Sequence, residues 1–136
     1  MQPHKYPYLK TLAGKTLLEA MPYLPLTLEL NGNTKDVAGL LDSGSTVNVL
    51  PYNIGLELGA IWERQRISLS LVGNLANFEA RALLVNAQIK GLLPVTLAFA
   101  WTKSEYATLI LGQTNFFSLF DVCFLRQDNE FEIKIR

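Results

Sequence analysis

Val37-Ala38-Gly39-Leu40-Leu41-Asp42-Ser43-Gly44-Ser45 runs a short apolar stretch straight into a carboxylate. The first five residues read as a strand buried on both faces. Asp42 stands at its end, and no charge follows from residue 43 to residue 56. A carboxylate in such surroundings is costly unless it is hydrogen-bonded. The next residues supply donors: Ser43 and Ser45 carry hydroxyls, and Gly44 lets backbone N–H groups approach closely. Upstream, Leu26, Leu28 and Leu30 alternate with Thr27 and Glu29, the period of a half-buried strand. Asn31-Gly32 then gives the strongest short hairpin signal. Residues 26–41 thus read as a hairpin that delivers Asp42. Beyond the carboxylate, Val47, Val49 and Leu50 resume a β-type pattern. Pro51 to Gly59 has proline near the start and glycine past the end of a short helix.

A second uncharged run spans residues 106–120. It holds Leu109-Ile110-Leu111-Gly112, an apolar run ending in glycine. Thr114 then stands where it would cap a short helix with Phe116, Phe117, Leu119 and Phe120 on its apolar face. Between the two runs, Ile67, Leu69 and Leu71 alternate with serines, and Gly73-Asn74 with Asn77 mark a turn. Leu83, Val85, Ala87 and Ile89 alternate along the returning strand. Lys90-Gly91 turns the chain into Val95, Leu97 and Phe99. The chain closes on Phe131, Ile133 and Ile135 alternating with charged residues, an amphipathic strand that pairs either within its own subunit or across a dimer. Many short strands, two short helices and no βαβ rhythm indicate an all-β closed barrel or sandwich.

The chain has 136 residues, one domain's worth, with 12 Lys+Arg against 12 Asp+Glu and a mean hydropathy of +0.18. Zero net charge argues against nucleic acid as a partner, because phosphate binding needs a basic excess. Charged residues make up 18%, below the usual share of about 25%, which leaves surface for an apolar interface. The single cysteine, Cys123, cannot form an internal disulfide. It lies in Val122-Cys123-Phe124-Leu125 and reads as a buried structural thiol. One histidine, His4, and one cysteine cannot build a four-ligand zinc site, so no metal and no cofactor are expected. No apolar signal-type segment follows the basic residues near the start. The apolar stretch 91–102 is too short for a membrane span of about 20 residues. These features lead us to expect a cytoplasmic protein, with residues 1–22 as an N-terminal arm and 23–136 as the folded domain.

Leu40-Leu41-Asp42-Ser43-Gly44-Ser45 together with Ile110-Leu111-Gly112 resembles the two hallmarks of single-lobe, retropepsin-like aspartic proteases. The order of hairpin, Asp-Ser-Gly loop, flap region, apolar–apolar–Gly run, helix and final strand follows that family from about Leu24 onward. The early arm fits the standalone cellular or bacterial members. The resemblance implies an acid-protease β-barrel lobe with a flap hairpin at 67–89 and one or two short helices. It implies Asp42 as the catalytic carboxylate, with Ser43 bonding across a dimer axis and Gly44 donating its N–H toward the carboxylates. It places Ser45 where a hydroxyl bonded to the carboxylate would favour the charged form and shift the working pH toward acid. Val72, Gly73, Asn74 and Leu75 would be the flap tip that touches substrate. That tip departs from the family, having one glycine and no tyrosine.

The chemistry needs two carboxylates sharing a proton, one as base for water and one as acid for the carbonyl oxygen. One Asp-Ser-Gly in 136 residues meets that need only through two-fold association, since a C2 axis presents the same residue from both sides. The expected activity is therefore a homodimeric aspartic endopeptidase acting on extended peptides, with apolar residues around the cut bond. The alternative is a non-catalytic peptide-binding or dimerisation module on the same fold. The intact Asp42-Ser43-Gly44 speaks against it, because a pure binder has no use for a costly carboxylate pair at its axis.

Overall fold

The computed structural model describes residues 3–12, 14–104 and 106–136. In chain order the strands and helices are β1 (His4–Pro7), β2 (Leu9–Leu12), β3 (Lys15–Met21), β4 (Tyr23–Leu30), β5 (Asn33–Leu41), β6 (Asn48–Leu50), α1 (Tyr52–Glu57), β7 (Ser68–Leu69), β8 (Ala80–Gln88), β9 (Val95–Thr102), β10 (Ile110–Leu111), α2 (Phe116–Leu119), β11 (Phe120–Leu125) and β12 (Glu130–Ile135). Single 3₁₀ turns occupy Trp62–Arg64, Gly73–Leu75 and Arg126–Asp128.

Strands β4, β5, β10, β6, β9 and β8 hydrogen-bond in that order, and β8 returns to β4, so six strands close into a barrel. Asn31 (φ 52°) and Gly32 (φ 90°) both lie in the left-handed region that a tight two-residue hairpin turn requires. They fold β4 onto β5 in the register Leu30↔Asn33 through Tyr23↔Leu40. The expected alternation holds along β4, where Leu24, Leu26 and Leu28 are buried and Leu30 is half-buried. It holds along β8 and the following turn, where Leu83, Val85, Ala87 and Ile89 are buried. β9 adds Leu97, Phe99 and Trp101 to the same core. Each fully buried leucine here contributes about 1.5–3 kcal/mol relative to exposure.

β5 is buried more fully on one face than on the other. Gly39 and Leu41 are buried, whereas Ala38 and Leu40 are half-buried. The two-sided burial expected of 37–41 is thus incomplete, because the face that carries Ala38 and Leu40 lies outside the barrel and is only partly covered.

A second, three-stranded sheet has the order β1-β12-β11. Phe131 and Ile133 of β12 are fully buried. β12 pairs with β11 and with β1 of the same chain, which answers where the terminal strand goes. Residues within the expected arm are ordered into β1 and the β2–β3 hairpin. Tyr6 stacks on Phe131 at 5.4 Å and donates its hydroxyl to the Lys90 carbonyl at 2.7 Å. Burial raises the Tyr6 phenol above its usual range.

Three local expectations are corrected. Cys123 is exposed, because β11 alternates Phe120 and Val122 inward with Asp121 and Cys123 outward. The N-cap of α2 is Asn115, not Thr114, and α2 is a single turn that ends where Phe120 enters β11. The region 67–79 is mostly irregular, as β7 has only two residues paired with β8 and the tip is a 3₁₀ turn.

Candidate active site

Asp42 sits where β5 leaves the barrel, and its N–H donates to the Leu111 carbonyl at 3.1 Å. β5 runs parallel to β10 at this point, with Leu40↔Ile110 and Leu41↔Leu111 in register. The two hallmark stretches, far apart in sequence, are therefore adjacent strands. The Gly44 N–H donates to Asp42 Oδ1 at 2.9 Å, and the Ser45 N–H donates to the Asp42 carbonyl at 3.1 Å. This is an Asx-type turn, in which the aspartate side chain accepts from the backbone two residues on. It fixes one carboxylate oxygen without using the other. Asp42 remains partly accessible.

The Ser45 hydroxyl donates to the Val47 carbonyl at 2.8 Å rather than to Asp42. The anticipated hydroxyl–carboxylate bond is absent from this chain's own loop, because the turn aims that side chain forward along the backbone. Ser43 is exposed, and its carbonyl accepts from Gln113 Nε2 at 2.7 Å.

Gly112 holds the loop from the other side. A Cβ on it would lie 2.3 Å from the Val47 carbonyl oxygen and 2.8 Å from that of Ser45. Both contacts are with backbone, so no side chain can be fitted there without moving the Asp42 loop. The Gln113 N–H donates to the Ser45 carbonyl and that of Thr114 to Thr46, each at 2.8 Å. The apolar–apolar–Gly run is a clamp on the Asp-Ser-Gly loop.

The sequence reading missed Asn48, which is fully buried. Its Oδ1 accepts from the Gly112 N–H at 2.7 Å. Its Nδ2 donates to the Ala98 carbonyl at 3.0 Å and to Asn115 Oδ1 at 2.9 Å. Asn115 Oδ1 also accepts from the Ala98 N–H at 3.0 Å. Asn115 holds φ 83° and ψ −69°, a strained backbone state maintained by this network. The signal was present: one amide inside Val47-Asn48-Val49-Leu50, on a strand that must be buried.

The candidate flap residues meet the Asp42 loop across a cleft of about 240 Å³. Asp42, Gly44 and Ser45 line one side, Val72, Asn74 and Leu75 the other, and Ile110 also borders it. Of the expected tip residues, Gly73 does not line it. Val72 is 82% exposed, so this wall lies over the cleft without being packed onto it. Leu111 and Gly112 are buried behind the loop. No helix among the described residues is long and apolar enough to cross a membrane.

No protein-family model matches the chain, and no curated protein sequence matches it significantly. Among solved structures, the crystal structure of a retropepsin-like aspartic protease from Rickettsia conorii matches with a TM-score of 0.63 at 9% sequence identity. The match covers 97% of this chain and 91% of that one. Closed six-stranded barrel, two short helices and near-complete overlap agree: this chain has the fold of a retropepsin-like aspartic-protease lobe.

Proposed function

We propose that the protein is an aspartic endopeptidase that hydrolyses peptide bonds in extended peptides as a homodimer. The observation that carries this reading is the Asp42 loop: a carboxylate held by the Gly44 N–H at 2.9 Å, open to a cleft, and clamped from behind by Gly112. An ordinary turn aspartate needs neither the cleft nor the clamp. A cleft of about 240 Å³ is below the ~300–1,000 Å³ of sites that enclose a ligand. One lobe thus offers half a site and one carboxylate.

Two copies related by a two-fold axis bring two Asp42 side chains together. At about 3 Å such a pair shares one proton, since both cannot ionise easily. The ionised member takes a proton from water, which attacks the scissile carbonyl carbon. The protonated member gives its proton to the carbonyl oxygen. The tetrahedral species then collapses as the first carboxyl gives the proton it took from water to the amide nitrogen, which leaves as amine, while the second carboxylate takes a proton back from a hydroxyl of the tetrahedral carbon. The Gly44 N–H keeps each carboxylate in the plane this exchange needs. Ser43, exposed beside Asp42, would bond across the axis. Main-chain hydrogen bonds would hold the substrate in strand form, and Val47, Leu71, Val72, Leu75 and Ile110 favour apolar side chains beside the cut.

The test is digestion of a diverse peptide library by wild type and Asp42→Asn, read by mass spectrometry from about pH 3 to pH 8. Cuts between apolar residues that vanish in the variant are expected. A folded, dimeric wild type that cuts nothing would instead leave a binding or assembly role.

A further inference from the structure

β8 is paired on its outer side in two separate stretches. Asn86, Ala87 and Gln88 pair with Glu29, Leu28 and Thr27 of β4, while Ala80 and Arg81 pair with Leu69 and Ser68 of β7. β9 runs along the other side from Ala80 to Ala87. Residues 83–85 thus fall between the two outer partners, and among the described residues no strand faces them there. The Ala82 N–H donates to the Ile67 carbonyl at 2.9 Å, so the even-numbered residues of β8 turn their backbone groups to this side. The N–H and carbonyl of Leu84 therefore point into the gap, and neither has a hydrogen-bond partner among the described residues.

The gap opens into a groove of about 450 Å³ that shares no lining residue with the Asp42 cleft. Leu84 and Ile67 stand on its walls 64% and 65% exposed, and Ile61 adds a third exposed apolar side chain. Apolar residues scattered singly over a surface mean little, but three around one concavity mark an interaction surface. One wall is held firmly in place. Arg81 Nη1 donates to the Trp62 carbonyl at 2.8 Å and to the Gln65 carbonyl at 3.2 Å, and its guanidinium lies 4.7 Å from the centre of the Trp62 ring. Among the described residues, Arg64 is the only ionisable group that lines the groove. Arg66 is exposed beside Ile67.

We propose that this groove docks an extended segment of a partner protein, with apolar side chains at alternate positions and a carboxylate. An extended strand is the shape that satisfies the Leu84 N–H and carbonyl together, since an antiparallel neighbour exchanges both bonds through one residue. Apolar side chains on one face of the segment cover Leu84, Ile67 and Ile61. Its carboxylate meets the Arg64 guanidinium, and no acidic side chain lines the groove to oppose it. The docked segment fills the space between β7 and β4. It sits at the root of the flap-side wall, because Ile67 leads through β7 into Ser70, Leu71 and Val72 beside the Asp42 cleft. The docking site is separate from Asp42 and does not depend on the peptidase reading.

The experiment uses the full chain carrying Asp42→Asn, so that added peptides stay whole. Two pools of hexapeptides are compared, each with Val, Ile or Leu at alternate positions. One pool carries Asp or Glu at a remaining position, and the other carries Lys there. NMR follows each backbone amide. With the acidic pool the resonances of Ile67, Ala82 and Leu84 are expected to shift. Exchange of the Leu84 N–H with water should slow about tenfold once roughly nine-tenths of the sites are filled. Leu84→Lys should abolish both effects while the rest of the barrel spectrum is retained, and Arg64→Glu should turn the preference toward the lysine pool. Shifts confined to the Asp42 cleft, at Val49 and Ile110, would overturn the docking site and leave the peptidase reading standing. Shifts at Leu84 without any at the cleft would support the docking site and count against the peptidase reading. An acidic preference unchanged in Arg64→Glu would overturn the carboxylate assignment. Leu84 protection that grows with protein concentration in the absence of peptide would overturn the partner segment in favour of a second copy.

Discussion

Asn48→Ala separates a structural clamp from a chance contact. Asn48 is fully buried and makes three hydrogen bonds, to the Gly112 N–H, the Ala98 carbonyl and Asn115 Oδ1. Truncation leaves the buried Gly112 N–H without its acceptor, a penalty of about 1–3 kcal/mol. Loss of the two donated bonds adds about 0.5–1.5 kcal/mol each. The expected total is about 2–6 kcal/mol, or roughly 8–24 °C in Tm for a domain of this size. Urea unfolding monitored by circular dichroism reads it, with the midpoint falling and the m-value unchanged. Asn48→Asp sharpens the test. It keeps an acceptor for Gly112 but turns a second oxygen toward the Ala98 carbonyl and Asn115 Oδ1. At neutral pH it should be at least as damaging as alanine, and it should recover on acidification as the new carboxyl gains the proton that restores a donor. A loss below about 1 kcal/mol for Asn48→Ala, or an Asn48→Asp protein as stable as wild type at pH 7, would refute the brace.

Gly112→Ala forces a methyl group against the Val47 and Ser45 carbonyls; peptide cleavage should fall at least tenfold while circular dichroism still shows the barrel, and an unimpaired enzyme would count against the clamp. Ser45→Ala should leave the pH–activity profile where it is and lower stability by about 1 kcal/mol, because the hydroxyl serves Val47; a profile displaced by the substitution would show that the hydroxyl reaches the carboxylate. Asn86 Nδ2 and the Gly32 N–H hold the Glu29 carboxyl below its usual range. Its contribution to stability is present above the ordinary carboxylate range and is lost as pH falls through the depressed value. Glu29→Gln should therefore narrow the gap to wild type as the solution is acidified, and a gap independent of pH down to strong acid would contradict the assignment.

What was legible in the sequence depended on how local its physics is. Asp42-Ser43-Gly44 could be read because an Asx turn closes within three residues, and the Gly44 bond to Asp42 is the outcome. Alternation in β4, β8 and β9 could be read because one face of each meets the barrel core. Cys123 was misread because an apolar run shows no parity; the register with β12 decides which residues face out. The regular flap hairpin failed for a related reason. Ile67 and Val72 remain exposed, so nothing in a single lobe rewards extending β7 beyond two residues. A lone amide in an apolar strand marked Asn48, but its partners could not be read because they lie far along the chain, at Ala98, Gly112 and Asn115.

The central claim is that one Asp42 from each of two copies makes the active site, and subunit mixing tests it most directly. Wild type and Asp42→Asn are mixed at constant total concentration, allowed to exchange, and assayed on a peptide that wild type cuts. If both carboxylates are needed, activity follows the square of the wild-type fraction, so an equal mixture retains about one quarter of the full rate. A linear dependence, with about half the rate retained, would mean that a single Asp42 suffices and would contradict the account.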